Sequence, residues 1–374
     1  MISRQAVLYG GTDMEETKAE IQQSDTGSTP DPIKDERRRV KRSYGVSTTA
    51  MIFQIIIINL LSIGGNVVFR AVIQSRVMAE NPGATEEELS VLIDEAIRQG
   101  AALNTLISLV SATLALAVAI AVGYKMIRTF RFRDSLKRSR AKATPLGVVG
   151  ILAVQPVSFL ISMFLKTLAG TSGSSAALER TLSGDGDLTA LIIAMIHSCI
   201  LAALFEEFFF RGFMLNAMSP VSKWFAVIMS ALMFALMHGN FGQFPNTFVI
   251  GILHGYVAIK CGTVIPNIIA HTLTNFMAFM GGFAGDAWGD TGYIIFFAAE
   301  FVIALPCLII FIKKNGKIDN KTDIIVPDLN SELPSKPENT IVLLMKCPSF
   351  WIVLLFELGS MISLLMTSMA SAAA

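Results

Sequence analysis

Two adjacent acidic residues lie inside an apolar stretch of the chain, in the run LFEEFFFRGF that contains Glu206, Glu207 and Arg211. On a helix, Glu207 and Arg211 are four residues apart and face the same side, so they can form an ion pair. Glu206 points about 100° away from Glu207 and keeps no such partner. We expect this ion pair to hold the helix in position beside the site. Glu206 is then free to act as a general base.

Two histidines and a carboxamide lie in two later apolar runs of the chain. His238 lies in the run FALMHGN, one helical turn after Phe234, and His271 and Asn275 are four residues apart in PNIIAHTLTNF. Residues at i and i+4 share one face of a helix, so the second imidazole and the carboxamide point the same way.

These residue types suit the hydrolysis of an amide bond. A carboxylate beside an imidazole can hold and deprotonate a water, a task that we assign to Glu206 and His238. An imidazole N–H and an amide NH2 can donate hydrogen bonds to the oxyanion of a tetrahedral intermediate, a task that we assign to His271 and Asn275. The sequence therefore predicts a peptide-bond-hydrolysing site.

Other hydrolytic chemistries are less well represented in the sequence. No G-x-S-x-G elbow occurs for a serine nucleophile, and no H-E-x-x-H zinc signature occurs on any predicted helix. Two histidines and one carboxylate are nevertheless a known catalytic zinc set, so Glu206, His238 and His271 are candidate ligands in a minority interpretation. Whether the site holds a metal stays open at this point.

All four histidines fall within predicted membrane spans, where an ionisable group costs a few kcal/mol unless it is paired or hydrated. Interhelical hydrogen bonding is the plain alternative for any one of them. We favour that structural role for His197 and His254.

The elements that must position these residues are membrane helices. The chain has 374 residues, of which 53% are hydrophobic and only 16% charged, whereas a soluble domain carries about 25% charge. Apolar runs of about 20 residues can cross a hydrocarbon layer. The sequence predicts an all-α, polytopic transmembrane bundle with eight core helices and a further C-terminal ninth. The spans are expected at 49–73, 101–123, 145–169, 188–217, 223–240, 244–261, 264–284, 291–312 and 348–369.

Loop charges predict the orientation of these spans, because cytoplasmic connections collect Lys and Arg. Residues 1–46 form a polar segment that we expect to be disordered and cytoplasmic. Two spans follow in 47–143, joined by an acidic external loop that contains a short surface helix, and a basic loop lies before the catalytic core at 144–312. A polar cytoplasmic linker at 313–345 leads to the last run, 346–374.

The same topology brings the candidate residues to one depth. With a rise of about 1.5 Å per residue, Glu206, His238, His271 and Asn275 lie roughly 11 to 22 Å from the cytoplasmic ends of their spans. The basic clusters flank apolar runs and indicate topology rather than a nucleic-acid partner. The four cysteines lie in or beside apolar runs and are expected to be buried thiols.

The three ordered motifs resemble those of the CAAX-processing and bacteriocin-processing (CPBP or Abi) proteases. The resemblance lies in the Glu-Glu-x-x-x-Arg motif at 206–211, the Phe-x-x-x-His motif at 234–238 and the His-x-x-x-Asn motif at 271–275, and it extends over about 145–312. It implies an eight-helix intramembrane protease fold and the roles given above to the four candidate residues. Members of the family have been described both as metalloproteases and as glutamate-dependent proteases.

Two other classes of function fit a membrane bundle with buried polar residues. A proton-coupled transporter would use buried Glu and His as a relay, and an idle immunity or scaffold protein would keep the fold without turnover. For a protease, a bilayer-embedded cleft predicts a membrane-associated peptide or protein substrate. The location we expect is a bacterial plasma membrane, with several spans and a cytoplasmic N-terminus.

Overall fold

The computed structural model describes residues 32–127, 131–157, 160–161, 188–320 and 340–373. Over these residues the chain is helical and has no β-strand, which confirms the predicted all-α fold. Five helices are long and apolar enough to cross a membrane: Lys34–Glu80, Ala102–Ile127, Leu188–Met218, Ile265–Asn315 and Pro348–Thr367. The chain is therefore a helical membrane bundle.

The helices of the described residues are numbered in chain order. In chain order they are α1 (Pro32–Glu80), α2 (Glu86–Gln99), α3 (Ala101–Ile127), α4 (Thr144–Ile151), α5 (Leu188–Met218), α6 (Lys223–Met237), α7 (Phe244–Cys261), α8 (Ile265–Asn315), α9 (Thr340–Met345) and α10 (Pro348–Ala373). Of the span predicted at 145–169, the structure describes 145–157 and 160–161; the rest lies outside the described residues. The 15 residues of α6 extend about 22 Å, less than the roughly 30 Å of a hydrocarbon layer.

The N-terminal segment departs from our expectation. The helix α1 begins at Pro32, so residues 32–46 are helical rather than disordered, while 1–31 lie outside the described residues. Proline suits the first turn of a helix. An apolar span that is already helical also extends without a new nucleation step, which explains why the basic stretch 34–42 continues it.

The C-terminal run forms the predicted additional helix. In α10, the Ser349 hydroxyl lies 2.6 Å from the Thr48 hydroxyl of α1 and 3.2 Å from the Gly45 carbonyl oxygen, to which it donates. Phe350 and Val353 join the apolar core. Of the linker expected at 313–345, residues 313–315 continue α8, 340–345 form α9, and 321–339 lie outside the described residues.

Two predicted spans, 264–284 and 291–312, both belong to α8. Its backbone leaves helical geometry at Trp288 and Gly289, where Gly289 has a φ of 62° and a ψ of −155°. Glycine is favoured in this conformation because it has no Cβ. The loop expected at 284–290 is thus a tight turn between two helical arms.

The two arms of α8, residues 265–287 and 290–315, pack against each other. A Cβ on Gly292 would lie 2.0 Å from the Ala284 carbonyl oxygen, and a Cβ on Gly281 would lie 2.8 Å from the Phe297 ring. Small residues allow helices to approach closely inside a membrane, and here they close the hairpin that carries the His-x-x-x-Asn motif.

The helix α5 contains two wide π turns, at His197–Ala202 and Phe208–Met214, separated by the short α-helical segment Ala203–Glu207. Such turns are rare and frequently occur at functional sites. Each changes the angle at which later side chains project, so the two acidic residues lie between two irregularities. The sequence carries no propensity signal for this feature.

The helices α6 and α7 approach each other closely. A Cβ on Gly251 would lie 3.0 Å from the Ala231 Cβ, and a Cβ on Gly255 would lie 3.0 Å from a Val227 methyl group. The helices can therefore pack nearly backbone to backbone, as small residues permit in membranes.

Candidate active site

The Glu207–Arg211 ion pair forms as the sequence predicts. The Arg211 Nη1 donates to the Glu207 Oε1 at 2.8 Å, and both side chains are 0% exposed. A second guanidinium nitrogen, Nη2, lies 3.5 Å from the Gly251 carbonyl oxygen of α7. Removing one member of a fully buried pair leaves an uncompensated charge, so this pair locks α5 against its neighbours.

Phe234 lies at the centre of the polar cluster. Its ring lies under the Arg211 guanidinium, with 4.5 Å between the guanidinium carbon and the ring centroid. The ring also meets His238 edge to face at 4.8 Å and His271 at 6.0 Å. The Phe of the second motif therefore connects the acidic motif to both imidazoles.

His238 caps the C-terminal end of α6. Its Nδ1–H donates to the Phe234 carbonyl oxygen at 2.8 Å, which fixes the ring and leaves Nε2 as the free nitrogen. Gly239, with a φ of 60°, ends the helix directly afterwards. The side chain is half-buried, as suits a group that meets a substrate.

His271 lies between the two carboxylates. Its Nδ1–H donates to the Glu207 Oε1 at 2.9 Å, and its Nε2 is 3.7 Å from the Glu206 Oε2. The side chains of His271 and Glu206 are 9% and 13% exposed. A separation of 3.7 Å is too long for a hydrogen bond and leaves room for a water beside both atoms.

Asn275 is held by the first π turn of α5. Its Nδ2 donates to the Ser198 carbonyl oxygen at 2.6 Å, and one turn earlier the Thr272 hydroxyl donates to the Cys199 carbonyl oxygen at 2.6 Å. A π turn leaves backbone carbonyls available to side chains of other helices. Because an amide NH2 has two hydrogens, one N–H of Asn275 is still free for a ligand.

The structure thus brings some of the predicted residues into contact and separates others. Glu206 faces His271, Asn275 follows one turn later on the same helix, and His238 meets the cluster through Phe234. Among the described residues, no ion pair or hydrogen bond links Glu206 to His238, the partner that we expected for it.

His254 and Asn267 belong to the cluster, although we did not name them as site residues from the sequence. The His254 Nδ1 lies 3.5 Å from the Glu207 Oε1, and its ring centroid is 5.5 Å from that of His271. The Asn267 amide nitrogen contacts His254 in turn. A signal was present, because Asn267 is four residues before His271 and shares its helix face.

His197 has the structural role that we expected for it. Its Nε2 lies 3.0 Å from the Thr113 hydroxyl, whose own proton goes to the Leu109 carbonyl oxygen. The contact joins α5 to α3 by an interhelical hydrogen bond, as occurs in other membrane bundles.

The set Glu206, His238 and His271 does not fit a metal centre in this arrangement. Within the parts of the chain that the structure describes, no three His, Cys, Asp or Glu side chains come together in a way that could hold a metal ion. The Nδ1 atoms of His238 and His271 donate to the Phe234 carbonyl oxygen and to the Glu207 carboxylate, so the Nε2 atom of each ring is the one left for a ligand.

Residues 188–277 match the protein family described as type II CAAX prenyl endopeptidase Rce1-like. The chain is also 26% identical over 140 residues to a protein of Escherichia coli described as an uncharacterized 24.3 kDa protein. That match covers 34% of this chain and 64% of the relative, so the chain spans less than two thirds of the relative's length. No solved structure matches the chain.

The family match contains all three motifs, from the Glu-Glu-x-x-x-Arg motif to the His-x-x-x-Asn motif. It confirms the resemblance to the CAAX-processing and bacteriocin-processing proteases, over a shorter range than the expected 145–312. Together with the apolar helices, it identifies a multi-pass membrane protein.

Proposed function

We propose that this chain, whose residues 188–277 resemble Rce1-like endopeptidases, hydrolyses a peptide bond of a membrane-associated substrate within the bilayer. One observation carries the proposal. Arg211 binds Glu207 at 2.8 Å, so the neighbouring Glu206 keeps an uncommitted carboxylate 3.7 Å from the Nε2 of His271. An uncommitted carboxylate beside an imidazole is the arrangement that general-base catalysis requires.

In the proposed reaction Glu206 takes a proton from a water that is held against the imidazoles. The resulting hydroxide attacks the carbonyl carbon of the scissile bond and forms a tetrahedral oxyanion. When this intermediate collapses, the C–N bond breaks and the leaving amine receives the proton back from Glu206. His238 supports the water through its free Nε2, since its Nδ1 is committed to the Phe234 carbonyl oxygen.

The oxyanion is stabilised in this proposal by His271 and Asn275. The Nδ1 of His271 is committed to Glu207, so Nε2 is the nitrogen that serves the site, and in its protonated form it donates to the oxyanion. Asn275 contributes the amide N–H that is not used on the Ser198 carbonyl oxygen. Both donors are held before the substrate arrives, as preorganised stabilisation requires.

We further propose that the enzyme is of the glutamate type and works in a bacterial plasma membrane with its N-terminus in the cytoplasm. The support for the first part is the Glu206 carboxylate, which lies 3.7 Å from the His271 Nε2 and makes no direct hydrogen bond to it. The measurement is turnover after exhaustive chelation with 1,10-phenanthroline. Full activity supports a glutamate-type site, whereas a loss that zinc restores would contradict it.

The function itself is tested with the full chain in lipid nanodiscs and an internally quenched peptide that ends in a farnesylated CAAX sequence. We expect cleavage, with no cleavage by the Glu206→Gln variant. A matched peptide without the prenyl group tests whether the lipid is recognised. Proton-coupled transport in liposomes, abolished by Glu206→Gln in the absence of any peptidase activity, would overturn the proposal.

A further inference from the structure

His254 is a fully buried histidine that the reaction above does not use. It lies on α7, is 2% exposed, and directs its Nδ1 to within 3.5 Å of the Glu207 Oε1. That oxygen also receives the Arg211 and His271 hydrogen bonds at 2.8 and 2.9 Å. Three nitrogen groups from α5, α7 and α8 therefore surround one carboxylate oxygen.

Asn267 fixes the position of His254. Its Nδ2 donates to the His254 carbonyl oxygen at 2.6 Å and lies 3.2 Å from the His254 Nδ1, and Asn267 is 0% exposed. The orientation of the amide is set, because the opposite orientation would bring two oxygens within 2.6 Å of each other. His254 is thus tied to the first arm of α8 through its backbone carbonyl oxygen, which leaves its Nδ1 to face Glu207.

These contacts converge on Glu207. Arg211 and His271 donate to its Oε1, and the His254 Nδ1 lies 3.5 Å from the same oxygen. Moving the Glu207 carboxylate therefore breaks more than one contact, so its position is over-determined. The orientation of Glu207 in turn decides which way the Nε2 of His271 points.

We propose that His254 and Asn267 are positioning residues that hold Glu207, and through it the His271 ring, in the orientation that faces Glu206. The inference rests on the proposed function for the chemistry that His271 performs, but the positioning itself is measurable without turnover. Because the His254 ring lies 5.5 Å from the His271 ring, its loss alone changes the environment of that ring, so the His271 signals in Asn267→Ala decide between positioning and space filling.

The four histidines of the chain make that environment directly observable, because selective ¹⁵N-histidine labelling gives one pair of ring signals per residue. We compare His254→Leu, which keeps bulk, His254→Gln, which keeps a polar donor, and Asn267→Ala. Ser230→Ala is the control, because this buried hydroxyl bonds only the Val227 carbonyl oxygen of its own helix.

The expected result is a shift of the His271 ring signals in His254→Leu and Asn267→Ala, with those of His197 unchanged. On the farnesylated peptide, kcat falls about tenfold at constant KM, the size of effect that outer-shell partners have elsewhere. In His254→Gln, the His271 ring signals and kcat are expected to lie closer to their wild-type values than in His254→Leu. Ser230→Ala is expected to change neither the His271 signals nor kcat.

Unchanged His271 signals in Asn267→Ala would overturn the proposal, whatever happens to kcat. If His254→Leu does not fold, Asn267→Ala and His254→Gln decide the question by the same signals. A wild-type chain that cleaves no peptide contradicts the proposed function and leaves the spectroscopic comparison intact, so the two failures are distinguishable.

Discussion

His271 donates a hydrogen bond from its Nδ1 to the Oε1 of Glu207 at 2.9 Å. This single contact divides the two acidic residues into different roles. The Glu207 carboxylate accepts hydrogen bonds from Arg211 and from the His271 ring. Glu206 faces the Nε2 of His271 without a direct hydrogen bond. Adjacent carboxylates with separate partners can serve as a structural anchor and as a base.

The Glu207–Arg211 pair is expected to be a requirement for folding. Glu207→Gln leaves the guanidinium buried without its counter-charge and should lower the free energy of unfolding by about 3–5 kcal/mol. The measurement is denaturation in mixed micelles. The control is Arg76→Ala, which breaks the ion pair with Glu80, whose two side chains are 73% and 59% exposed. It should change the free energy of unfolding by less than about 1 kcal/mol. Equal stability of Glu207→Gln and the wild type would contradict the anchoring role.

Asn275 is expected to act in the transition state. Asn275→Ala should lower kcat by about ten- to a thousandfold with little change in KM, the loss expected of one oxyanion donor. The matched control is Thr272→Val, which removes the parallel hydrogen bond to the Cys199 carbonyl oxygen one turn earlier. If both substitutions reduce kcat equally, Asn275 only fastens α8 to the π turn.

The hairpin of α8 is expected to depend on Gly292. A Cβ there would lie 2.0 Å from the Ala284 carbonyl oxygen, so Gly292→Ala must push backbone apart and should destabilise the fold by about 1–3 kcal/mol. A Cβ added to Gly64 of α1 would have no atom within 4 Å beyond its own stretch of helix. There, Gly64→Ala should be neutral or stabilise by up to about 1 kcal/mol. A tolerated Gly292→Ala would show that the arms are less closely packed.

Local patterns predicted much of this fold. Apolar runs of sufficient length indicated the membrane helices, and the i, i+4 spacing of Glu207 and Arg211 predicted their ion pair. Spacing along one helix also predicted that His271 and Asn275 share a face. These inferences succeeded because they depend on the geometry of a single helix.

Contacts between different helices were harder to predict from the sequence. We assigned Glu206 and His238 to the water, and that assignment stays a prediction, whereas the position of the His271 Nε2 at 3.7 Å from the Glu206 carboxylate was not foreseen. Rotation of each helix about its axis is set by packing. The π turns of α5 have no composition signal and change that rotation. We expected a structural role for His254, and its distance of 3.5 Å from Glu207 could not be predicted, because it depends on how closely α7 approaches α5.

The most direct test of the central claim compares Glu206→Gln with the wild type for both peptide hydrolysis and stability. The substitution keeps the size of the side chain and removes only its basicity. We expect hydrolysis of the farnesylated peptide to fall below detection while the unfolding midpoint stays within experimental error. Retained hydrolysis by Glu206→Gln would contradict the assignment of Glu206 as the base that activates the water.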